Sequence, residues 1–279
     1  MSAAENSPDR GRRPEDLIRT DVPHSARIYN YWLGGKDHFD IDRAIGEQVI
    51  AAEPEMIAMM RDNRAFLGRA VDHLVRDRGI RQFLDIGSGL PTADNTHEVA
   101  QRAAPESRIV YVDNDPIVLV HARDLLAGTP EGATDYIDGD LREPRKILAA
   151  AAGTLDFSRP VAIILLGTLA HIAEDGDARA VIETLMDATC PGSHLVISVN
   201  TNVINPAGME GAAAAYNQAF GNPPIYLHTP ERLAAFFAGM EMVDPGVVSV
   251  ARWKPVQAES PFGGEPPERD LFVGVARKP

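Results

Sequence analysis

Strand-like and helical segments alternate between Arg81 and Val199, and this alternation restricts the fold more than any other feature of the sequence. The strand-like segments are short and apolar and read RQFLDI, RIVYVD, TDYID, VAIILL and HLVISV. Helical patterns separate them, one of which starts at Asp115-Pro116, a typical N-cap and first helical position. Alternation at this spacing predicts right-handed βαβ crossovers and a mostly parallel sheet covered on both faces.

The flanking segments predict additions on both sides of this core. Residues 1–16 are polar and aperiodic, which is typical of a disordered tail, and residues 17–79 predict a helical cover with helices near 41–49 and 54–78. Residues 201–279 predict an Ala-rich helix near 211–220, a helix from Thr229-Pro230 and an antiparallel hairpin of two strands, the first in MVDPGVVSVARW. We therefore expect one doubly wound α/β domain over residues 17–279, with residues 80–200 as its core and an antiparallel strand ending a seven-stranded sheet.

Composition and charge disfavour several classes of protein. The single cysteine, Cys190, cannot form an internal disulfide, and no apolar signal core is found, which predicts a cytoplasmic protein. The longest apolar stretch, Val161 to Ala173, is too short to span a bilayer. A formal charge of −13 opposes binding to nucleic acid through phosphate neutralisation. The histidines and the cysteine show no metal-ligand spacing, so we expect no metal site.

A glycine-rich turn follows the first strand, in FLDIGSGLPT. Gly87 and Gly89 let a ligand approach the backbone, and the start of the next helix presents free N–H groups. Pro91 and Thr92 stand where a pyrophosphate-binding fingerprint continues to its third glycine. A carboxylate at Asp85 would repel a pyrophosphate but suits a ligand with an ammonium or sulfonium charge. The alternative is a plain tight turn that Asp85 caps.

Acidic residues also follow the second and third strands. Asp113, with Asn114 beside it, ends the second strand, where acids of doubly wound folds accept hydrogen bonds from ribose hydroxyls. Asp115 is better explained as the helix cap. Asp140 and the backbone of Leu141 follow the third strand and are placed to read an adenine edge, although a surface acid is the alternative. All these loops come after the carboxyl ends of neighbouring strands, where open α/β sheets bind ligands.

As a set, these motifs resemble the class I S-adenosylmethionine-dependent methyltransferases, which have a Rossmann-like fold. The fifth strand adds a Pro-Gly turn, PGSHLVIS, that is similar to theirs. The segments RIYNYWLGGKDHFDIDRA, RDNRAFLGRAV, RQFLDIGSGLPT and YVDNDPIVL further resemble one branch of that superfamily, found mainly in high-GC bacteria and long described as being of unknown function. The resemblance implies S-adenosylmethionine as cofactor and S-adenosylhomocysteine as product. It places the methionine end over Gly87 and Gly89, the ribose on Asp113 and the adenine near Asp140 and Leu141.

The same resemblance gives the N-terminal segment a role. In related folds such a segment covers the cofactor, and by this analogy Arg64 pairs with the cofactor carboxylate while a lid is formed by Tyr29, Tyr31, Gly35 and Lys36. The alternative is that the aromatic residues of this stretch, Tyr29, Tyr31 and Trp32, are packing residues that anchor the N-terminal helices.

Candidates for the chemical step are few. His171 follows the fourth strand and is a candidate base or acceptor contact, although a single histidine at such a junction is more often structural. Methyl transfer can depend largely on positioning, so a missing catalytic motif does not exclude it. The acidic surface favours a small or cationic acceptor, with residues 201–228 as a wall of its pocket. Two alternatives remain: a non-catalytic cofactor-binding sensor or interaction module, and an NAD(P)-dependent oxidoreductase, which Asp85 and the absent third glycine disfavour.

Overall fold

The computed structural model describes residues 18–91, 94–118, 120, 128–220, 224–255 and 265–279. Its helices are α1 (Ser25–Trp32), α2 (Asp40–Ala52), α3 (Met56–Arg78), α4 (Thr96–Ala103), α5 (Pro144–Ala151), α6 (Asp175–Asp187), α7 (Pro206–Phe220) and α8 (Pro230–Phe236). Its strands are β1 (Gln82–Ile86), β2 (Arg108–Asp113), β3 (Ala133–Asp138), β4 (Ala162–Leu166), β5 (His194–Asn200), β6 (Glu241–Met242), β7 (Val248–Ser249) and β8 (Leu271–Arg277). The predicted tail at residues 1–16, and Thr92 of the glycine-rich turn, lie outside the described residues.

All the strands form one sheet in the order β3-β2-β1-β4-β5-β8-β6, and β7 also pairs with β8. Strands β1 to β5 pair in parallel, whereas β8 runs antiparallel to β5, β6 and β7. The predicted doubly wound, Rossmann-like sheet is therefore confirmed. Because the strand order reverses between β1 and β4, a crevice for ligands is expected there, at the carboxyl ends of the strands.

The two faces of the sheet pack into two separate cores. Every residue of β1 is buried, and its side chains alternate between the cores, with Phe83 in one and Leu84 in the other. The first core contains apolar residues of α1, α2 and α3 together with Trp253, and the second contains those of α5, α6 and α8. The helices that precede β1 thus cover one face, as the sequence predicts.

Local signals explain where the covering helices start and end. Helix α3 runs close to its predicted range and ends at Gly79, whose left-handed φ of 69° is a common helix terminator. Helix α7 begins at Pro206, earlier than predicted, because the buried Asp270 accepts hydrogen bonds from the preceding turn: 2.7 Å from Val203 N and 2.6 Å from Asn205 N. Among the described residues, no helix is long and apolar enough to cross a membrane.

The C-terminal hairpin pairs as predicted but is not built from two continuous strands. The segment over residues 242–253 contributes only the short strands β6 and β7, and it continues as a 3₁₀ turn at Val250–Arg252. Pro245, between the two short strands, has no N–H to donate to a ladder and interrupts the pairing. Within the residues that the structure describes, the sheet therefore has eight strands rather than the seven expected.

Candidate active site

A cavity of about 450 Å³ opens at the carboxyl edge of the parallel strands. Every site residue predicted from the sequence lines it, namely Tyr29, Arg64, Asp85, Gly87, Gly89, Asp113, Asn114, Asp140, Leu141 and His171. The other lid candidates, Tyr31, Gly35 and Lys36, are not among the lining residues. The fold thus brings together residues that are far apart in the chain, because the strand ends and the N-terminal helices meet at this edge.

The glycine-rich turn leaves room for a ligand at one of its two glycines. Gly87 and Gly89 have left-handed φ values of 75° and 66°. A Cβ added at Gly87 would collide with the Thr168 side chain, whereas a Cβ at Gly89 would meet nothing within 4 Å. Gly87 is therefore required by packing, and Gly89 borders open space in the cavity.

Asp85 is a buried carboxyl at the end of β1. Its Oδ2 accepts a hydrogen bond of 2.6 Å from the Thr96 hydroxyl at the start of α4. Burial raises the pKa of the Asp85 carboxyl to about 6, although the Thr96 hydroxyl and the positive charge of Arg64 oppose this rise. A bound ammonium or sulfonium group would favour the ionised form, so the site suits a cationic ligand.

Asp113 is held in place by the backbone around it. Its Oδ2 accepts 2.7 Å from Gly89 N and its Oδ1 accepts 3.0 Å from Asp115 N, and burial raises the pKa of this carboxyl. Each oxygen retains a lone pair for a further donor such as a ribose hydroxyl. The acid that ends β2 is thus oriented before any ligand arrives.

Asp115 does more than cap a helix. Its Oδ1 accepts 3.0 Å from Ile117 N, as the cap prediction requires. Its Oδ2 lies 2.9 Å from His24 Nδ1 and 3.3 Å from Arg27 Nε, so it also ties α1 to the end of β2. Sequence reasoning missed this buried ion pair because nothing in the local pattern links residues so distant in the chain.

Asp140 and Leu141 follow β3 and line the cavity. Arg142 Nε donates 2.9 Å to Asp140 Oδ1, and this hydrogen bond holds the pKa of the carboxyl below its usual range. Asp140 is therefore ionised and neutralised by its neighbour at neutral pH. Arg142, which also lines the cavity, was not identified from the sequence.

Tyr29 lies in the cavity wall and also packs the N-terminal helices together. It lines the cavity, and its hydroxyl donates 3.2 Å to Met60 O while accepting 3.3 Å from Asn63 Nδ2. Trp32 also lines the cavity and donates 3.2 Å from Nε1 to Gly46 O. These aromatic residues therefore anchor α1 to α2 and α3 and form part of the wall at the same time.

His171 lies at the end of the 3₁₀ turn after β4. Its ring packs at 6.5 Å, centroid to centroid, from that of Tyr216, and its buried Nδ1 has no hydrogen-bond partner within the described structure. Burial lowers the pKa of this imidazole below its usual range, so the ring is neutral at pH 7. A neutral imidazole with a free nitrogen can accept a proton.

The cavity continues beyond the strand ends under the covering helices. Its wall there is largely apolar and includes Trp32, Val49, Met56, Met60, Leu67, Met209, Ala212, Ala213, Tyr216, Ile225, Leu227 and Leu271. Residues 201–228 were expected to wall a pocket, and half of these residues come from that segment. The contributions of α2, α3 and β8 were not identified from the sequence, since their helical and strand periodicity indicates only burial.

The sequence of the whole chain shows the family to which it belongs. A family model described as S-adenosyl methyltransferase matches residues 11–279. The chain belongs to this S-adenosyl methyltransferase family. The resemblance noted from the motifs is thereby confirmed, and with it an enzyme that uses S-adenosylmethionine. Membership also rules against the oxidoreductase alternative.

Two solved structures are similar to this methyltransferase over nearly their whole length. A DUF574 family protein from Streptomyces avermitilis MA-4680 is 42% identical, with a TM-score of 0.87 over 93% of this chain and 99% of the other. A candidate methyltransferase from Thermobifida fusca YX is 39% identical, with a TM-score of 0.84 over 93% and 97%. A curated relative from Chromohalobacter salexigens, carboxy-S-adenosyl-L-methionine synthase, is 28% identical over 204 residues, covering 71% of this chain and 67% of its own.

The residues present fit S-adenosylmethionine. A buried carboxyl at Asp85 suits its positive charges, and the preoriented Asp113 has free lone pairs for its ribose. The space at Gly89, which a Cβ would fill, leaves the backbone open to the ligand. The cavity volume of about 450 Å³ is in the range of small-molecule sites.

Proposed function

We propose that this methyltransferase transfers the methyl group of S-adenosylmethionine to a small-molecule acceptor held in the same cavity. The observation that carries the proposal is that all the predicted site residues line one cavity, which then continues past the strand ends as an apolar space. A cofactor held at the strand ends leaves that space for the acceptor. The apolar part of the cavity lies between helices and strands and several of its wall residues are buried, which supports a small molecule over a polymer.

Each cofactor contact in this proposal follows from the chemistry of the side chain. Asp113 accepts hydrogen bonds from the ribose hydroxyls, and Asp85 faces the ammonium group. Arg64, which lines the cavity and donates 3.2 Å to Asp94 O, brings its positive charge to the cofactor carboxylate. Asp140 and the Leu141 backbone contact the adenine. This assignment gives each charged end of the cofactor an opposite charge in the wall.

When bound, S-adenosylmethionine supplies an electrophilic methyl group, and the carbon–sulfur bonding pair stays on sulfur as S-adenosylhomocysteine leaves. The protein orients the acceptor and excludes water, which are the main contributions to an in-line transfer. His171 Nδ1 accepts the proton that a hydroxyl acceptor loses on methylation. The neutral state of His171 and its free nitrogen support this role.

Calorimetric titration of ligand-stripped protein tests the cofactor part of the proposal. We expect micromolar binding of S-adenosylmethionine and S-adenosylhomocysteine and no heat with NAD. A variant that lacks the ribose contact, Asp113→Ala, should bind both sulfur ligands more weakly. Formation of S-adenosylhomocysteine with an acceptor then separates catalysis from the non-catalytic sensor alternative, since both would bind the cofactor.

The similarity to carboxy-S-adenosyl-L-methionine synthase supports a second candidate function, in which S-adenosylmethionine itself acquires a carboxyl group. Mass spectrometry of the ligand that copurifies with the protein distinguishes the two. Unmodified S-adenosylmethionine or S-adenosylhomocysteine supports methyl transfer. A ligand heavier than S-adenosylmethionine by one carboxyl group supports the second candidate instead.

A further inference from the structure

The apolar part of the cavity has a distinct composition, and we call it the acceptor chamber. Its walls are Val49 of α2, Met60 of α3, Met209, Ala213 and Tyr216 of α7, and Leu227 in the segment after α7. Val49, Met60, Met209 and Tyr216 are all buried, so the chamber lies within the protein rather than on its surface. A molecule in the chamber would exchange most of its water for hydrocarbon.

Charge in the described cavity wall is confined to the cofactor end. Asp85 and Asp113 stand at strand ends, and Asp140 pairs with Arg142 after β3. Arg64 faces the turn after β1, where its charge acts on Asp85 and it donates to Asp94 O.

His24 also lines the cavity and lies against Asp115. The part of the wall that α2, α7 and residues 225–227 contribute carries no charged side chain. An ionised acceptor in the chamber would therefore lack a counter-ion, which makes its burial costly.

Two polar side chains stand where the chamber meets the cofactor end. His171 and Asn200 both line the cavity, and their buried atoms His171 Nδ1 and Asn200 Oδ1 have no hydrogen-bond partner in the described structure. Buried polar atoms of native proteins normally have a hydrogen-bond partner, so we expect a ligand to supply a donor for these two atoms. Asn200 ends β5 and His171 follows β4, and these strands are neighbours in the sheet.

We propose that the acceptor chamber binds an uncharged, largely apolar molecule whose hydroxyl group faces His171 and Asn200. This assignment rests on the proposed methyl transfer and names the substrate class for it. It replaces the cationic acceptor that the acidic surface favoured, because the charge of the surface does not extend to the described chamber wall. The hydroxyl donates to the unpaired atoms, and the apolar body fills the space under α2 and α7.

Two fluorescent probes with the same aromatic body test the charge preference. N-phenylnaphthylamine is uncharged, and anilinonaphthalene sulfonate adds one negative charge. With S-adenosylhomocysteine bound at saturation, we expect the uncharged probe to bind at least about tenfold more tightly, because the sulfonate has no partner in the chamber. Equal binding of the two probes, or tighter binding of the sulfonate, would overturn the proposal.

Matched substitutions in α7 locate the probe. Ala213→Leu fills the chamber and should weaken probe binding by about tenfold or more. Ala214→Leu makes the same change at the neighbouring exposed position and should leave probe binding unchanged. Equal effects of the two substitutions would show that the probe binds elsewhere and would refute the chamber assignment.

Competition with naphthol and methoxynaphthalene tests the hydroxyl preference, since the methoxy compound replaces the hydroxyl hydrogen with a methyl group and so has no donor. We expect naphthol to displace the probe at lower concentration from the wild type, and this advantage to disappear in His171→Phe. No advantage in the wild type would overturn the hydroxyl assignment. S-adenosylhomocysteine binding, measured on the same samples, keeps the two proposals separate: if it binds and the probe does not, only the chamber proposal fails.

Discussion

Replacing Gly89 with alanine, with Gly79→Ala as a matched control, separates the cost of backbone strain from the loss of space for the ligand. Gly89 and Gly79 have nearly equal left-handed φ values of 66° and 69°, and a Cβ at either would meet nothing within 4 Å. Gly79 ends α3 on the exposed surface, and Gly89 lines the cavity. Each alanine variant should therefore lose about 1–2 kcal/mol of unfolding free energy from the left-handed conformation alone.

Only the Gly89 variant should also lose cofactor affinity. The added methyl group occupies space that the cofactor would fill, and overpacking of this kind costs about 1–3 kcal/mol, or about 5- to 150-fold in affinity. Urea denaturation measures the first effect and calorimetric titration with S-adenosylhomocysteine the second. Affinity of the Gly89→Ala protein within about twofold of both the wild type and Gly79→Ala would refute the placement of the cofactor over this turn.

Three further substitutions test the acidic residues. Burial raises the pKa of Asp85 to about 6, whereas an aspartate in the unfolded chain ionises near pH 4. Ionisation of this group therefore opposes folding increasingly between about pH 4 and pH 6, and by about 3 kcal/mol at pH 7. Asp85→Asn should therefore gain unfolding free energy relative to the wild type between about pH 4 and pH 7, and a constant difference across that range would contradict this. In the wild type, S-adenosylmethionine should bind up to about tenfold more weakly for each pH unit below 6, and Asp85→Asn should lose this dependence in calorimetric titrations. Asp113→Ala should lose about 1–3 kcal/mol of cofactor affinity, and normal binding would disprove its contact with the ribose. Asp270→Ala leaves the Thr201 hydroxyl and the N–H groups of Val203 and Asn205 without their acceptor, so we expect a loss of about 3 kcal/mol in urea denaturation and weaker probe binding in the acceptor chamber. Unchanged stability of this variant would show that the carboxylate does not hold the start of α7.

The parallel core and the cofactor end of the cavity could be predicted because their signals are local. Apolar runs of strand length and the helical segments between them define the βαβ units. The glycines of the turn, Gly87 and Gly89, indicate at which edge of the sheet a ligand binds. Asp85 and Asp113 stand near the carboxyl ends of their strands and Asp140 comes shortly after the end of β3, so parallel pairing brings all three to one edge. The segment that forms β6 and β7 was predicted as one strand from its apolar residues, without regard to Pro245, which interrupts it.

The acceptor chamber and the contacts that hold α1 were decided only by the tertiary structure. The chamber wall combines α2, α3, α7 and β8, whose apolar faces are indistinguishable in sequence from ordinary core. The same holds for the pairing of Asp115 with His24 and Arg27, which depends on helix packing rather than on spacing in the chain. The sequence by itself determined the parallel part of the sheet, the edge at which a ligand is expected and the family, because short-range periodicity and turn residues specify these. The absence of charge in the described wall of the acceptor chamber depends on which side chains the packed helices turn inward. The net composition of the chain does not specify this.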